Sequence, residues 1–227
     1  MNRWSLREIL LMIAMILSMS FLVFDTMLMG NDTWDGWSVW GFKAKIYFIH
    51  KNIPFELFKN PFGLVWGNWD YPHHVPLMET WVFLWLGYWN DQLSRIIFPL
   101  FHAGLAICSY AFFRRYSSRF LSLCGAFFIL TLPGLCIMTT GAISEPVVLF
   151  YYVMSLQLLL RWEETHRSTF FFLSAMLIGL AAWTKNEGMV YAIFNLAVVF
   201  LAARAMTLAR RSFLIFSYAG IVGLIIS

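Results

Sequence analysis

Seven apolar runs punctuate the chain, at residues 9–29, 96–113, 120–138, 146–160, 170–183, 189–203 and 213–226. Each approaches the roughly 20 residues that an α-helix needs to cross a bilayer, and the shorter ones call for tilt or a thinned membrane. Polar residues fall between the runs in short clusters, with one exception. Residues 31–94 form a long polar stretch after the first run, and eight of the eleven tryptophans lie between Trp34 and Trp89. Indole rings favour the headgroup layer, apolar face inward and N–H wet, so this stretch reads as a folded loop lying on the membrane. The pattern predicts an all-α membrane protein of about seven transmembrane helices, a single domain over 1–227 with a long first outer loop at 31–94. The first run is longer than a signal-peptide core and lacks a small-residue cleavage site, so it is expected as a retained span. The last run reaches Ser227 without a polar cap, which reads as a chain cut within its seventh span.

Two helices are expected inside the loop. Trp37, Trp40, Ala44 and Tyr47 recur three or four apart and mark one stripe of a helix over 37–49. Residues 75–89 are apolar but only about fifteen long, short for a span. Charge decides between crossing and lying flat. If 75–89 does not cross, the side of the N-terminus receives Arg3, Arg7, Arg114, Arg115, Arg119, Arg161, Arg167, Arg204, Arg210 and Arg211, ten of the sixteen basic residues. If it crosses, that side keeps only Arg3, Arg7, Arg95 and Lys185. The positive-inside rule selects the first arrangement and makes 75–89 an in-plane helix. The expected topology is a cytoplasmic N-terminus in a bacterial inner membrane, with the long loop and the turns at 139–145 and 184–188 outside.

Composition agrees with this reading: 60% of residues are apolar, 19% aromatic and 12% charged. The net charge of +4 lies in arginine clusters between apolar runs, a topology signal and no footprint for nucleic acid. Cys108, Cys124 and Cys136 fall within apolar runs, are odd in number and lack metal-ligand spacing, so no disulfide framework or zinc site is indicated. No cofactor is expected, and nothing in the spacing supports a divalent metal.

The outer face collects Asp32, Asp35, Lys43, Lys45, Asp70, His73, His74, Arg95, Glu145, Lys185 and Glu187. Ionisable groups at the ends of spans point to function unless they are ordinary loop charges in water, and Lys51, Glu56 and Lys59 fit that simpler description. Asp35 lies between Trp34 and Gly36-Trp37, where aromatic walls would desolvate a carboxylate and favour a general base; the alternative is an N-cap for the helix that follows. Lys43 and Lys45 are two apart, so only one faces a site, binding phosphate as a point charge or snorkelling to headgroups. Arg95 is a bidentate phosphate clamp or a headgroup anchor. His73 and His74, between Pro72 and Pro76, are hydrogen-bonding groups for substrate or parts of a structural turn. Glu145 precedes Pro146 at a helix start, where a carboxylate suits the helix N-terminus. Lys185 and Glu187 flank a turn ended by Gly188, and pair with each other in the simpler reading.

Trp34-Asp35-Gly36-Trp37 with Lys43-Ala44-Lys45, Tyr71-Pro72-His73-His74-Val75-Pro76, Arg95, Glu145-Pro146 and Thr184-Lys185-Asn186-Glu187-Gly188 occur in an order that resembles the GT-C-fold glycosyltransferases using polyprenyl-phosphate sugars. Within that fold the likeness is to the superfamily of protein O-mannosyltransferases and lipid A aminoarabinose transferases, and it covers the N-terminal part of such an enzyme. The resemblance implies inverting transfer of a hexosyl or pentosyl group, outside the cytoplasm, from a polyprenyl-phosphate-linked donor to a hydroxyl of a glycan, lipid or protein acceptor. Asp35 would be the base, and Lys43, Lys45, Tyr71, His73, His74, Arg95, Glu145, Lys185 and Glu187 would bind substrate, with Lys43, Arg95 and Lys185 meeting the phosphate. Two positions depart from the family: its Asp-Glu pair is Asp35-Gly36 here, and the aspartate of its second outer loop is Glu145. The competing reading is a non-catalytic membrane module whose outer charges bind lipid headgroups or a transported solute. A transporter would show interrupted helices and mid-membrane polar groups.

Overall fold

The computed structural model describes residues 4–28, 33–54, 71–205 and 207–226, and every regular element among them is helical. They are α1 (Leu6–Leu28), a π-helix (Asp35–Gly41) running directly into α2 (Phe42–His50), α3 (His74–Leu86), the one-turn α4 (Asp91–Ser94), α5 (Ile97–Phe113) and α6 (Arg119–Leu130). There follow α7 (Pro133–Thr140), α8 (Glu145–Thr165), α9 (Ser168–Thr184), α10 (Glu187–Ala202), a 3-10 turn (Ala203–Ala205) and α11 (Leu208–Ile226). The protein is an all-α membrane protein.

Each of the seven apolar runs becomes helical, but seven spans do not result. Among the described residues three segments are long and apolar enough to cross a membrane: Leu6–Leu28, Asp91–Phe113 and Leu208–Ile226. A fourth arises if α6 and α7, bent by 50° at their junction, count as one. The reasons are local. Helices α9 and α10 hold 17 and 16 residues, short of the roughly 20 that span the hydrocarbon. Helix α8 has 21 residues but gives its ends to Glu145 and to Arg161, Glu163 and Glu164. The run at 120–138 is broken by Pro133, which lacks an N–H and clashes with the preceding turn.

The chain forms two compact units, Met1–Asp70 with Val75–Pro146, and Tyr71–His74 with Val147–Ser227. In the first, α1 packs on α5, α6 and α7, and α5 on α6. Glu8 accepts from the Arg119 guanidinium at 2.8 and 3.2 Å, a forked pair of the geometry Arg favours, and so fastens the start of α1 to the start of α6. Ser118 caps α6, its hydroxyl accepting from the Leu121 N–H at 3.3 Å. At the bend, buried His102 on α5 places Nε2 3.1 Å from the Ile129 carbonyl, the group that an amide at position 133 would have satisfied. Its Nδ1 lies 2.9 Å from the Thr139 hydroxyl on α7, so one imidazole serves both sides of the break.

In the second unit α9, α10 and α11 pack mutually, and α8 joins them through polar groups. Asn195 on α10 donates to the Ser155 hydroxyl on α8 at 2.5 Å and to Tyr218 on α11 at 3.2 Å. Ser155 donates to the Ser174 carbonyl on α9 at 2.8 Å, and Ser174 and Tyr218 share a bond of 2.8 Å. All four side chains are buried, so one hydrogen-bonded node ties four helices and satisfies polar groups that burial would otherwise leave unpaired.

Candidate functional site

Asp35 opens the π-helix. The π geometry is explicit in the Phe42 N–H, which bonds the Trp37 carbonyl five residues back. Such widened turns are rare and recur at functional sites. Asp35 does not cap this helix: the Thr33 hydroxyl accepts from the Gly36 N–H at 3.2 Å and takes that role. The same hydroxyl donates to the carbonyl of Gly141. The approach is close enough that a Cβ at Gly141 would meet the Thr33 methyl at 2.6 Å, which explains glycine there. Asp35, two residues beyond Thr33, and Glu145, four beyond Gly141, are thereby carried on segments fastened to each other. Asp35 is half-buried, and one carboxylate oxygen of Glu145 is sealed from solvent.

Two cations of this unit are not surface anchors. Lys43 on α2 is 0% exposed and Arg95, at the start of α5, 1%, which removes snorkelling and headgroup anchoring as their explanation. The Arg95 guanidinium donates to the Thr26 carbonyl at 3.3 Å, at the end of α1 from which the chain continues to Thr33. Lys45, two residues from Lys43, instead lies over the Trp89 ring at 3.7 Å, a cation–π contact. The inference that only one of the two lysines turns inward thus has a geometric answer in Lys43.

Helix α3 adds a carboxylate that the sequence pattern passed over. Its inner stripe is Val75, Glu79 and Phe83, all buried, while Trp81 and Trp85 stand exposed on the other face. The Thr80 hydroxyl lies 3.2 Å from the Ala44 carbonyl of α2, and Phe48 meets Phe83 edge to face at 5.8 Å, so the helix is clamped with Glu79 turned inward. Glu79 is 2% exposed and its Oε2 makes no hydrogen bond. Burial first, then the nearby Asp91 charge, push its carboxyl up to about 8, against the pull of Arg95. It is therefore a neutral acid at pH 7. The cue was available: residues 75, 79 and 83 share a face at helical spacing.

Between α1 and the bent pair α6–α7 runs a groove of about 510 Å³ lined by Leu17, Phe21, Leu22, Leu130 and Ile137, with Asp25 and Thr140 among its polar groups.

The other sequence candidates belong to the second unit. His74 is buried, stacks on Trp183 with centroids 4.9 Å apart and bonds Thr184 through Nδ1 at 2.8 Å. Burial draws its pKa down to about 4, so the ring is uncharged at pH 7 and holds the Tyr71–His74 segment on α9. Lys185 lies 3.6 Å from Glu187, the pairing given above as the simpler reading, and 6.0 Å from the centre of the Tyr71 ring. His73 is half-buried. Gly188 closes this turn because its Cα abuts the Ala181 carbonyl, which leaves no room for a side chain. Asp32, Glu56, Lys59 and Asp70 lie outside the described residues. No family model, curated protein or solved structure matches this chain. Among the described residues no three His, Cys, Asp or Glu side chains are grouped as a metal site requires.

Proposed function

We propose that the protein is a membrane glycosyltransferase that moves a sugar from a polyprenyl-phosphate donor to an acceptor hydroxyl on the non-cytoplasmic face, with inversion. The observation that carries this reading is the fastening of the Asp35 segment to the Glu145 turn through Thr33 and Gly141, in the unit that also buries Lys43 and Arg95. Asp35 takes the proton as the acceptor oxygen attacks the anomeric carbon, the bond from that carbon to the phosphate oxygen breaks, and polyprenyl phosphate departs. The leaving group is already anionic, so it needs cations more than an acid, and Lys43 and Arg95 stabilise the charge that grows on it. The groove between α1 and α6–α7 gives the isoprenoid chain an apolar bed. The π-helix holds Asp35 on a rigid element in place of a loop, which favours reproducible geometry for proton abstraction.

Asp35→Asn in the intact protein keeps shape and removes basicity. The expected result is loss of transfer by about 10²- to 10⁴-fold, measured with a defined polyprenyl-phosphate sugar in proteoliposomes, with helix content unchanged. Turnover within a few-fold of wild type would remove Asp35 as the base. Absence of transfer in the wild-type protein with every donor sugar offered would favour the non-catalytic membrane module instead.

A further inference from the structure

At the far end of the second unit from the Lys185 turn, where α8 ends and α9 begins, lies a cavity of about 160 Å³ that the proposed chemistry does not use. Helix α11 gives it one face: Arg210, Phe213, Leu214 and Ser217 follow one another at helical spacing, and all four line it. From the other side come His166 and Ser168. His166 ends α8 in the left-handed region, with φ of 53°, and Ser168 is the first residue of α9. The floor is aromatic and buried: Trp162 and Phe171 are 6% and 2% exposed, with ring centroids 5.0 Å apart. Phe171 in turn meets Tyr218 of the buried node edge to face at 5.2 Å, so the floor is held by the packing that joins the four helices.

A guanidinium, an imidazole and two hydroxyls, all able to donate to an anion, therefore share one cavity, and among the described residues no carboxylate lines it. The arginines around it differ in what already engages them. Arg161 lies 3.8 Å from Glu164 and Arg211 lies 3.6 Å from the centre of the Phe200 ring, whereas among the described residues the Arg210 guanidinium has neither ion pair nor hydrogen bond. Across residues 161–167 and 204–211 five arginines stand against two glutamates, a balance that attracts anions. Clefts that bury a whole small molecule start near about 300 Å³, so this one takes a group the size of a phosphate ester. Phe172 and Phe213 also line it yet are 47% and 69% exposed, and form an apolar rim that suits acyl chains and offers nothing to a free ion. We infer that this cavity binds the phosphodiester headgroup of an anionic phospholipid. Arg210 is its charge partner, His166, Ser168 and Ser217 are its hydrogen-bond donors, and the lipid chains lie over Phe172 and Phe213. The inference is independent of the glycosyltransfer reading.

Arginines that flank a membrane also attract anionic lipid without any built site, so the test separates the cavity from the surface around it. The intact protein is held in micelles of an uncharged detergent, and native mass spectrometry counts bound dioleoylphosphatidylglycerol against dioleoylphosphatidylcholine at equal concentration. Wild type is expected to retain one phosphatidylglycerol with a preference of about tenfold. Arg210→Ala, at an exposed position, lowers that preference about fivefold. Ser217→Leu fills the cavity without changing charge and lowers it by a similar factor, with helix content unchanged. Arg204→Ala removes an equal charge from an exposed residue outside the cavity and changes the preference by less than about twofold. Equal losses for Arg210→Ala and Arg204→Ala would overturn the site in favour of general surface attraction. An unchanged preference in Ser217→Leu, or no preference in wild type, would overturn it as well. Glycerophosphoglycerol is the same headgroup without chains, and its addition at millimolar concentration is expected to leave the bound lipid in place. Full displacement would assign the cavity to a free phosphate ester and overturn the lipid.

Discussion

A histidine sealed among aromatic rings behaves differently from one in water, and His74 makes the difference measurable. Burial lowers its pKa from the ordinary 6.5 to about 4, because charging the ring between Trp183 and Tyr151 would cost its hydration. The unfolded chain takes up a proton below pH 6.5 that the folded chain refuses until about pH 4. Stability from this residue is therefore complete above pH 6.5 and lost as pH falls through 4, amounting to roughly 3 kcal/mol. The thermal midpoint of wild type should drop more steeply between pH 6.5 and pH 4 than that of His74→Phe. Parallel declines would mean that the imidazole is not what titrates. Single residues also mark how far the sequence could be read. Asp35, Lys43 and Arg95 stood out because charge is rare in this chain and theirs sits beside apolar runs. Glu79 did not, because a lone carboxylate on a short apolar helix looks like its wet side. Rotation of the helix is set by the contact of Thr80 with Ala44, which no local pattern contains.

Helix positions were the most legible level. The run at 96–113 becomes α5 over Ile97–Phe113, and the run at 213–226 becomes the end of α11. Breaks were harder to read than helices: the run at 120–138 hides Pro133, and the bend there is stabilised by His102 from another helix, 27 residues earlier in the chain than the carbonyl it reaches. The expected helix over 37–49 forms, yet begins at Asp35 and is π-type to Gly41, because Thr33 rather than Asp35 takes the cap. Helix α3 has 13 residues, about 20 Å at 1.5 Å per residue, well short of the ~30 Å hydrocarbon core. Its exposed Trp81 and Trp85 suit a headgroup layer. With Cys108, Cys124 and Cys136 replaced by serine, exposed Asn52→Cys and Gln92→Cys on either side of α3 should react with a membrane-impermeant maleimide from the same side of the membrane. Labelling from opposite sides would show that α3 crosses.

For the whole molecule, the two compact units are held together internally by different means. The first relies on ties made by single groups: Glu8 to Arg119, Arg95 to Thr26, His102 across the bend, Thr33 to Gly141. The second gathers Ser155, Ser174, Asn195 and Tyr218 into one node. Hydrogen bonds between helices in a membrane contribute about 0.6 kcal/mol on average and up to about 1.7. Asn195→Ala, which deletes two of them, should cost about 1 kcal/mol in reversible unfolding in mixed micelles, and Tyr218→Phe a comparable amount. No loss in either variant would assign the cohesion of these helices to packing alone. Neither the node nor the ties could be read from periodicity, since their partners stand far apart in sequence.

The bond from Thr33 to Gly141 joins residues 108 positions apart, and that separation governs biogenesis. At ribosomal speeds of about 5–20 residues per second, Thr33 emerges roughly 5–20 s before its acceptor. The segment bearing Asp35 must wait that long without its anchor, so the joining of this segment to the Glu145 turn is a late event of folding.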